Sequence, residues 1–140
     1  MNIDNLKDHA FSLLDRGELP DALTAFHAIL EHDPEDAEAI LMAGSILCET
    51  GNIIDGIEKI NQAIKLDPAY PDAYATKAKV VLSKGKTSEA IDLLETATRL
   101  DAGYDVAWSM LASALGITAF QLSPDNREVL FALAIYQQKT

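Results

Sequence analysis

The side chains of this chain that could do chemistry are His9, His27, His32, Cys48 and the carboxylates Asp33, Glu35, Asp36 and Glu38. A metal site needs such ligands at spacings that bring them to one point. Acid–base or nucleophilic work needs an activating partner beside the reacting group. Neither requirement is visible. The histidines are scattered, and His9 and His32 fall at positions that helical periodicity reserves for apolar residues. They are read as partly buried structural side chains beside polar neighbours. Cys48 has no basic neighbour to depress its pKa and is read as a small packing side chain. One cysteine makes no intrachain disulfide. The carboxylate run lacks the spacing of a calcium loop. It is read as solvated loop and helix starts, where negative charge is favourable by a few tenths to about 1 kcal/mol. No Gly-rich phosphate loop and no supported Ser-His-Asp set occurs. The expectation is a protein with no catalytic residues, no metal and no cofactor.

Charge narrows the partners. The 140 residues carry a formal net charge of −11. Residues 1–70 hold 4 Lys and Arg against 14 Asp and Glu, while residues 71–140 hold 7 against 8. A phosphate backbone would be repelled, so no nucleic acid is expected, and a basic partner would be attracted. No secretory signal and no apolar run of about 18 residues is visible, so the expectation is no membrane and a cytoplasmic protein.

The elements that position these side chains repeat. Gly17, Gly51 and Gly85 are 34 residues apart, and Ala22, Gly56 and Ala90 follow each by five. Pro34, Pro68 and Ala102 keep the same period, as do Ala10, Gly44, Ala78 and Ala112. A period of about 34 is the signature of a helical-hairpin solenoid. The repeats run 3–36, 37–70 and 71–104. Apolar spacings of three and four predict first helices near 4–16, 38–50 and 72–84, and second helices near 20–33, 54–67 and 88–101. The glycines fall just after the first helices, where a left-handed cap suits them. The small residues at the two offsets are predicted to face each other across each hairpin. Gly56 lies inside a helix, which costs about 1 kcal/mol relative to Ala. Either the position tolerates glycine, or the second crossing is unusually tight.

In register, Leu6, Ile40, Tyr74 and Trp108 hold a large position, with Leu13, Leu47, Val81 and Leu115 seven residues later. Phe26, Ile60 and Leu94 hold the large position of the second helix, and His-Asp-Pro, Leu-Asp-Pro and Leu-Asp-Ala close the repeats. From residue 3 to about 115 the chain resembles the tetratricopeptide repeat (TPR) family. The resemblance implies an all-α, right-handed superhelical solenoid, a single TPR domain over 1–140, with a concave groove lined by the first helices.

After residue 104 the period breaks. A longer helix over 105–121 is expected, then a turn with Ser123 as N-cap, then a helix over 124–138. Residues 129–136 are apolar without interruption, and a helix apolar all round is normally buried. Leu130, Phe131, Leu133 and Tyr136 are therefore a candidate oligomer interface; the competing explanations are truncation of a longer array, and a side that its alanines leave only weakly apolar and tolerable in water.

The positions that line the family's groove hold Lys7, Phe11 and Leu14, then Leu41, Ser45 and Cys48, then Ala75, Lys79 and Leu82, then Ser109, Ser113 and Gly116. Asp4, Glu38 and Asp72 form one rim, Asp15 and Glu49 the other. Some family members hold a partner's C-terminal carboxylate with a clamp of Lys, Asn and Arg. Lys7 matches one clamp position, but Phe11, Met42, Asp72 and Thr76 occupy others, so the clamp is largely absent. The resulting expectation is a non-catalytic protein–protein interaction module for a peptide or helix with apolar anchors and basic flanks. The alternatives are a homo-oligomeric scaffold using the C-terminal helix, and an accessory region or chaperone serving a larger enzyme or a secretion system.

Overall fold

The structure is a computed structural model that describes the backbone of residues 2–122 and the side chains of residues 2–116. The helix expected over 124–138, with Leu130, Phe131, Leu133 and Tyr136, lies outside the described residues. Contacts divide the chain into two compact units, Met1–Pro68 and Ala69–Thr140.

The first unit holds α1 (Ile3–Asp15), α2 (Leu19–His32), α3 (Ala37–Glu49) and α4 (Ile53–Leu66). The second holds α5 (Pro71–Ser83), α6 (Thr87–Leu100) and α7 (Asp105–Leu122). Each of the first six helices begins and ends one residue earlier than the periodicity predicts. The residue expected to close each first helix, Arg16, Thr50 or Lys84, is instead its C-cap. The glycine after it then takes positive φ: 74° at Gly17, 97° at Gly51 and 80° at Gly85. All three ends make the same paired hydrogen bonds. The Gly17 amide donates to the Leu14 carbonyl at 3.0 Å, and the Glu18 amide reaches back to Leu13 at 3.0 Å. Asn52 to Leu47 (2.8 Å) and Lys86 to Val81 (3.0 Å) repeat the reach-back. This is the Schellman closure, which satisfies carbonyls the helix leaves open and needs a residue without Cβ at the left-handed position.

Within the first unit, α1 pairs with α2, α3 with α4, and α2 stacks on α3. Its core joins Leu13, Phe26, Ile29 and Ile46 with the alanines Ala10, Ala22, Ala25, Ala39 and Ala43. Phe26 is fully buried and meets Phe11 edge-to-face, with ring centroids 5.2 Å apart and planes at 84°. In the second unit α5 and α6 form the hairpin, and α7 packs on α6 and touches α5. Val81, Leu94, Leu111 and Leu115 centre that core, with Ala78 and Ala90 buried at the hairpin crossing. The Trp108 indole N–H donates to the Ala102 carbonyl at 3.0 Å, which ties α7 to the loop before it.

The small residues have the packing role their period implies, and the question about Gly56 is decided. A Cβ built on Gly44 would lie 2.8 Å from the Gly56 carbonyl oxygen. One built on Gly56 would lie 2.7 Å from the Gly44 carbonyl oxygen and would overlap Cys48 Sγ. The second crossing is tight because neither helix carries a Cβ there. In the third hairpin, Ala90 has no accessible surface. Ala90→Leu is expected to overpack that crossing and cost about 1–3 kcal/mol in urea unfolding; a change within about 0.5 kcal/mol, the range of ordinary surface substitutions, would show that the crossing has room.

Candidate binding face

The first helices present their side chains in the order the hairpins set. On α1, residues 7, 11 and 14 share one stripe; on α3, residues 38, 41, 45 and 48 do. The side chain of Lys7 joins the two. Its Nζ lies 2.8 Å from Asp36 Oδ2 and 3.4 Å from Glu38 Oε1. Asp36 is the N-cap of α3, and its Oδ1 accepts the Ala39 amide at 3.1 Å. One carboxylate therefore caps α3 and holds α1 beside it. The Asp36 hydrogen bond and the nearby carboxylate charges raise the Lys7 pKa above its ordinary value, outweighing the opposing effect of burial. A raised lysine pKa means the pair is intact at neutral pH and is lost only as pH climbs through that alkaline value.

Phe11 and Leu14 are half-buried and pack partly against the first core. Ser45 is half-buried. Three expected groove residues are placed differently: Leu41, Cys48 and Ala75, the last being buried in the second core. Leu41 has no accessible surface and offers no anchor. Six residues of α3 are buried, Leu41 among them, against two on α1. Cys48 lies half-buried with its Sγ where a Gly56 Cβ would stand, so its thiol fills the tight crossing with α4. In the second unit, Lys79 and Ser113 are exposed and Leu82 packs half-buried against the core. The rim residues Asp4, Asp15, Glu49 and Asp72 are exposed.

The acidic run has local structural roles. Asp33 Oδ1 accepts the Glu35 amide at 3.1 Å and Asp36 caps α3, so the carboxylate run is a loop and a helix start. His9, His27 and His32 are all exposed, which corrects the expectation of partial burial. His9 lies on α1, which is covered by one helix of its unit, and His32 is the last residue of α2. Partial desolvation and the charge of Lys59 hold the His27 imidazole below its ordinary pKa. Among the described residues, no group of three or more His, Cys, Asp and Glu could hold a metal ion. No described helix is long and apolar enough to cross a membrane. Sequence reasoning missed the pairing of Lys7 with Asp36. The available signal was that both sit near the N-terminal ends of successive first helices, which the hairpin brings side by side.

Helix hairpins of fixed period, each closed over small buried residues, define a repeat-type scaffold. Two family profiles described as tetratricopeptide repeat match residues 8–71 and 54–115, and the chain belongs to that family. Its fold is the all-α TPR-like solenoid, and no strand occurs among the described residues. No curated protein matches the chain. Among solved structures it is similar to MamA, at 22% identity and TM-score 0.79, covering 99% of this chain and 73% of that one. It is similar to a Thermobaculum terrenum O-GlcNAc transferase, at 26% identity and TM-score 0.76, covering 81% of this chain and 22% of that one. It is also similar to the Yersinia enterocolitica type III secretion chaperone SycD in complex with a peptide of the translocator YopD. That match has 24% identity and TM-score 0.71, covering 82% of this chain and 93% of SycD.

Proposed function

We propose that this protein is a non-catalytic protein–protein interaction module that holds a peptide or helix of a partner on its first helices. The observation that carries this reading is the α1 stripe, where Phe11 and Leu14 stay half-buried beside the paired Lys7. Each keeps apolar surface that a ligand could cover, on side chains already fixed by the core, so little entropy is lost on binding. Leu82 is the corresponding apolar residue of the second unit, flanked on the same stripe by Lys79. The exposed Asp4, Asp15 and Glu49 suit a ligand with basic flanks. The SycD structure supports a peptide as the class of ligand, since a repeat scaffold of the same fold carries one.

The test uses peptides selected by display on the purified chain, with affinity read by fluorescence anisotropy. Phe11→Ala with Leu14→Ala is expected to weaken binding at least about tenfold, the scale of loss at an interface hot spot, while the helical circular dichroism spectrum is retained. Unchanged affinity in the folded double variant would take the α1 face out of the interaction.

A second reading is favoured by the likeness to the transferase, of which this chain spans 22%. Here the repeats would serve a larger enzyme, and a catalytic partner or domain would have to co-purify with them. The self-association reading rests on residues 124–138. Light scattering tests it, and a monomer at high micromolar concentration rejects it.

A further inference from the structure

Lys7 is the sole Lys or Arg within α1 and α3, whose acidic residues are Asp4, Asp8, Asp15, Glu38 and Glu49, with Asp36 at the α3 cap. On a bare first-helix stripe, an ammonium at that place would attract a ligand carboxylate. Here two carboxylates of the chain already occupy it, one of them on a side chain only 10% exposed. Resting on the peptide-binding reading above, we propose that Asp36 and Glu38 set the specificity of the α1/α3 face. They neutralise its one cation from within, so the face rejects peptides bearing carboxylates and takes peptides bearing cationic groups beside their apolar anchors.

Charge complementarity argues for this occupant. An acidic peptide would have to displace Asp36 from Lys7, which would leave a mostly buried carboxylate without its counter-ion and disturb the α3 cap. It would also meet Asp4, Asp8 and Asp15 along α1. A peptide with lysines at its flanks meets those same carboxylates as partners and leaves the Lys7 pair in place. Rejection and attraction thus come from one arrangement, and discrimination built on a repulsive element is how related ligands are separated.

Two fluorescent synthetic peptides test the inference on the full chain. Both carry the same central Phe and Leu anchors. One has flanking lysines and an amidated C-terminus; the other has flanking glutamates and a free C-terminal carboxylate. The lysine peptide is expected to bind at least about tenfold tighter at low salt, with the gap narrowing in about 0.5 M salt as charges are screened. In Asp36→Asn with Glu38→Gln, the preference is expected to shrink to about threefold or less, because Lys7 is released to the acidic peptide. Asparagine still caps a helix, so α3 keeps its N-terminus. Adding Lys7→Met should remove the acidic peptide's gain.

If the Asp36/Glu38 variant weakened both peptides equally and kept their ratio, the pair would be a structural clasp only, and the inference would fail. Equal binding of the two peptides to the unaltered chain, or binding of neither, would also overturn it. Phe11→Ala with Leu14→Ala, measured with the lysine peptide, separates the two levels. Loss of binding there with no charge preference sinks the specificity claim alone. Charge-dependent binding that survives the substitution places the ligand elsewhere and sinks the α1 face itself.

Discussion

Phe26→Ala is expected to destabilise the protein by about 3–5 kcal/mol, the range for emptying a large aromatic site in a core. Phe26 has no accessible surface and sits among Leu13, Ala22, Ala25, Ile29, Ala39, Ala43 and Ile46. These residues come from α1, α2 and α3, so the ring sits in the core that the first hairpin shares with the second. Many of them are alanines, which have no side-chain length with which to fill the space left behind. The edge-to-face contact with Phe11 adds about 0.5–1.5 kcal/mol beyond the area buried. Urea unfolding followed by circular dichroism reads the change. A loss under about 1 kcal/mol would mean that the ring is not the joint between the hairpins. Phe11 would also lose its backing, so the peptide affinities above belong to variants that leave Phe26 intact.

Gly56→Ala carries the second large expectation, because two effects of opposite sign meet there. Helix propensity alone favours alanine by about 1 kcal/mol at an interior position. Packing opposes it. The new Cβ would stand 2.7 Å from the Gly44 carbonyl oxygen and 2.9 Å from the Cys48 amide nitrogen. Cys48 Sγ could rotate away, but the two backbone atoms cannot move without separating α3 from α4. Overpacking of that kind costs typically 1–3 kcal/mol, so a net loss of up to about 2 kcal/mol is expected for alanine and about 3 kcal/mol or more for leucine. A rise in the urea midpoint for Gly56→Ala would show that propensity wins and that the crossing relaxes. Gly44→Ala should lose stability for the reciprocal reason. The double variant should be non-additive, since the first substitution already opens the crossing that the second needs.

The hairpins were largely legible from residue spacing. Glycines at 17, 51 and 85 mark chain reversals because the left-handed conformation they adopt is costly for any side chain, and that requirement is local. The alternation of large and small residues in register located the core, since Phe26, Ile60 and Leu94 are all fully buried. The binding face was legible only in part. Phe11, Leu14 and Leu82 keep accessible surface where their stripe predicts it. Leu41 does not: it has no accessible surface, and burial is set by the packed helices rather than by a stripe on one of them. Lys7 was visible as a cation on the stripe, but its partner lies 29 residues away at Asp36, and the repeat places the two helices as neighbours without specifying that these side chains meet.

The sequence by itself determined what is local or periodic: helices, their caps, the 34-residue repeat, the hairpin pairing and the family. These follow from backbone conformation and from apolar spacing, which each short segment carries within itself. Tertiary structure decided what depends on distant neighbours. Contact between α3 and α4 made Gly44 and Gly56 mutually necessary, burial in the packed structure withdrew Leu41, and proximity of α1 to the α3 start turned Lys7 from an open cation into half of an ion pair. Each of these is a distance between segments, and side-chain types along the chain do not specify such distances until the helices are packed.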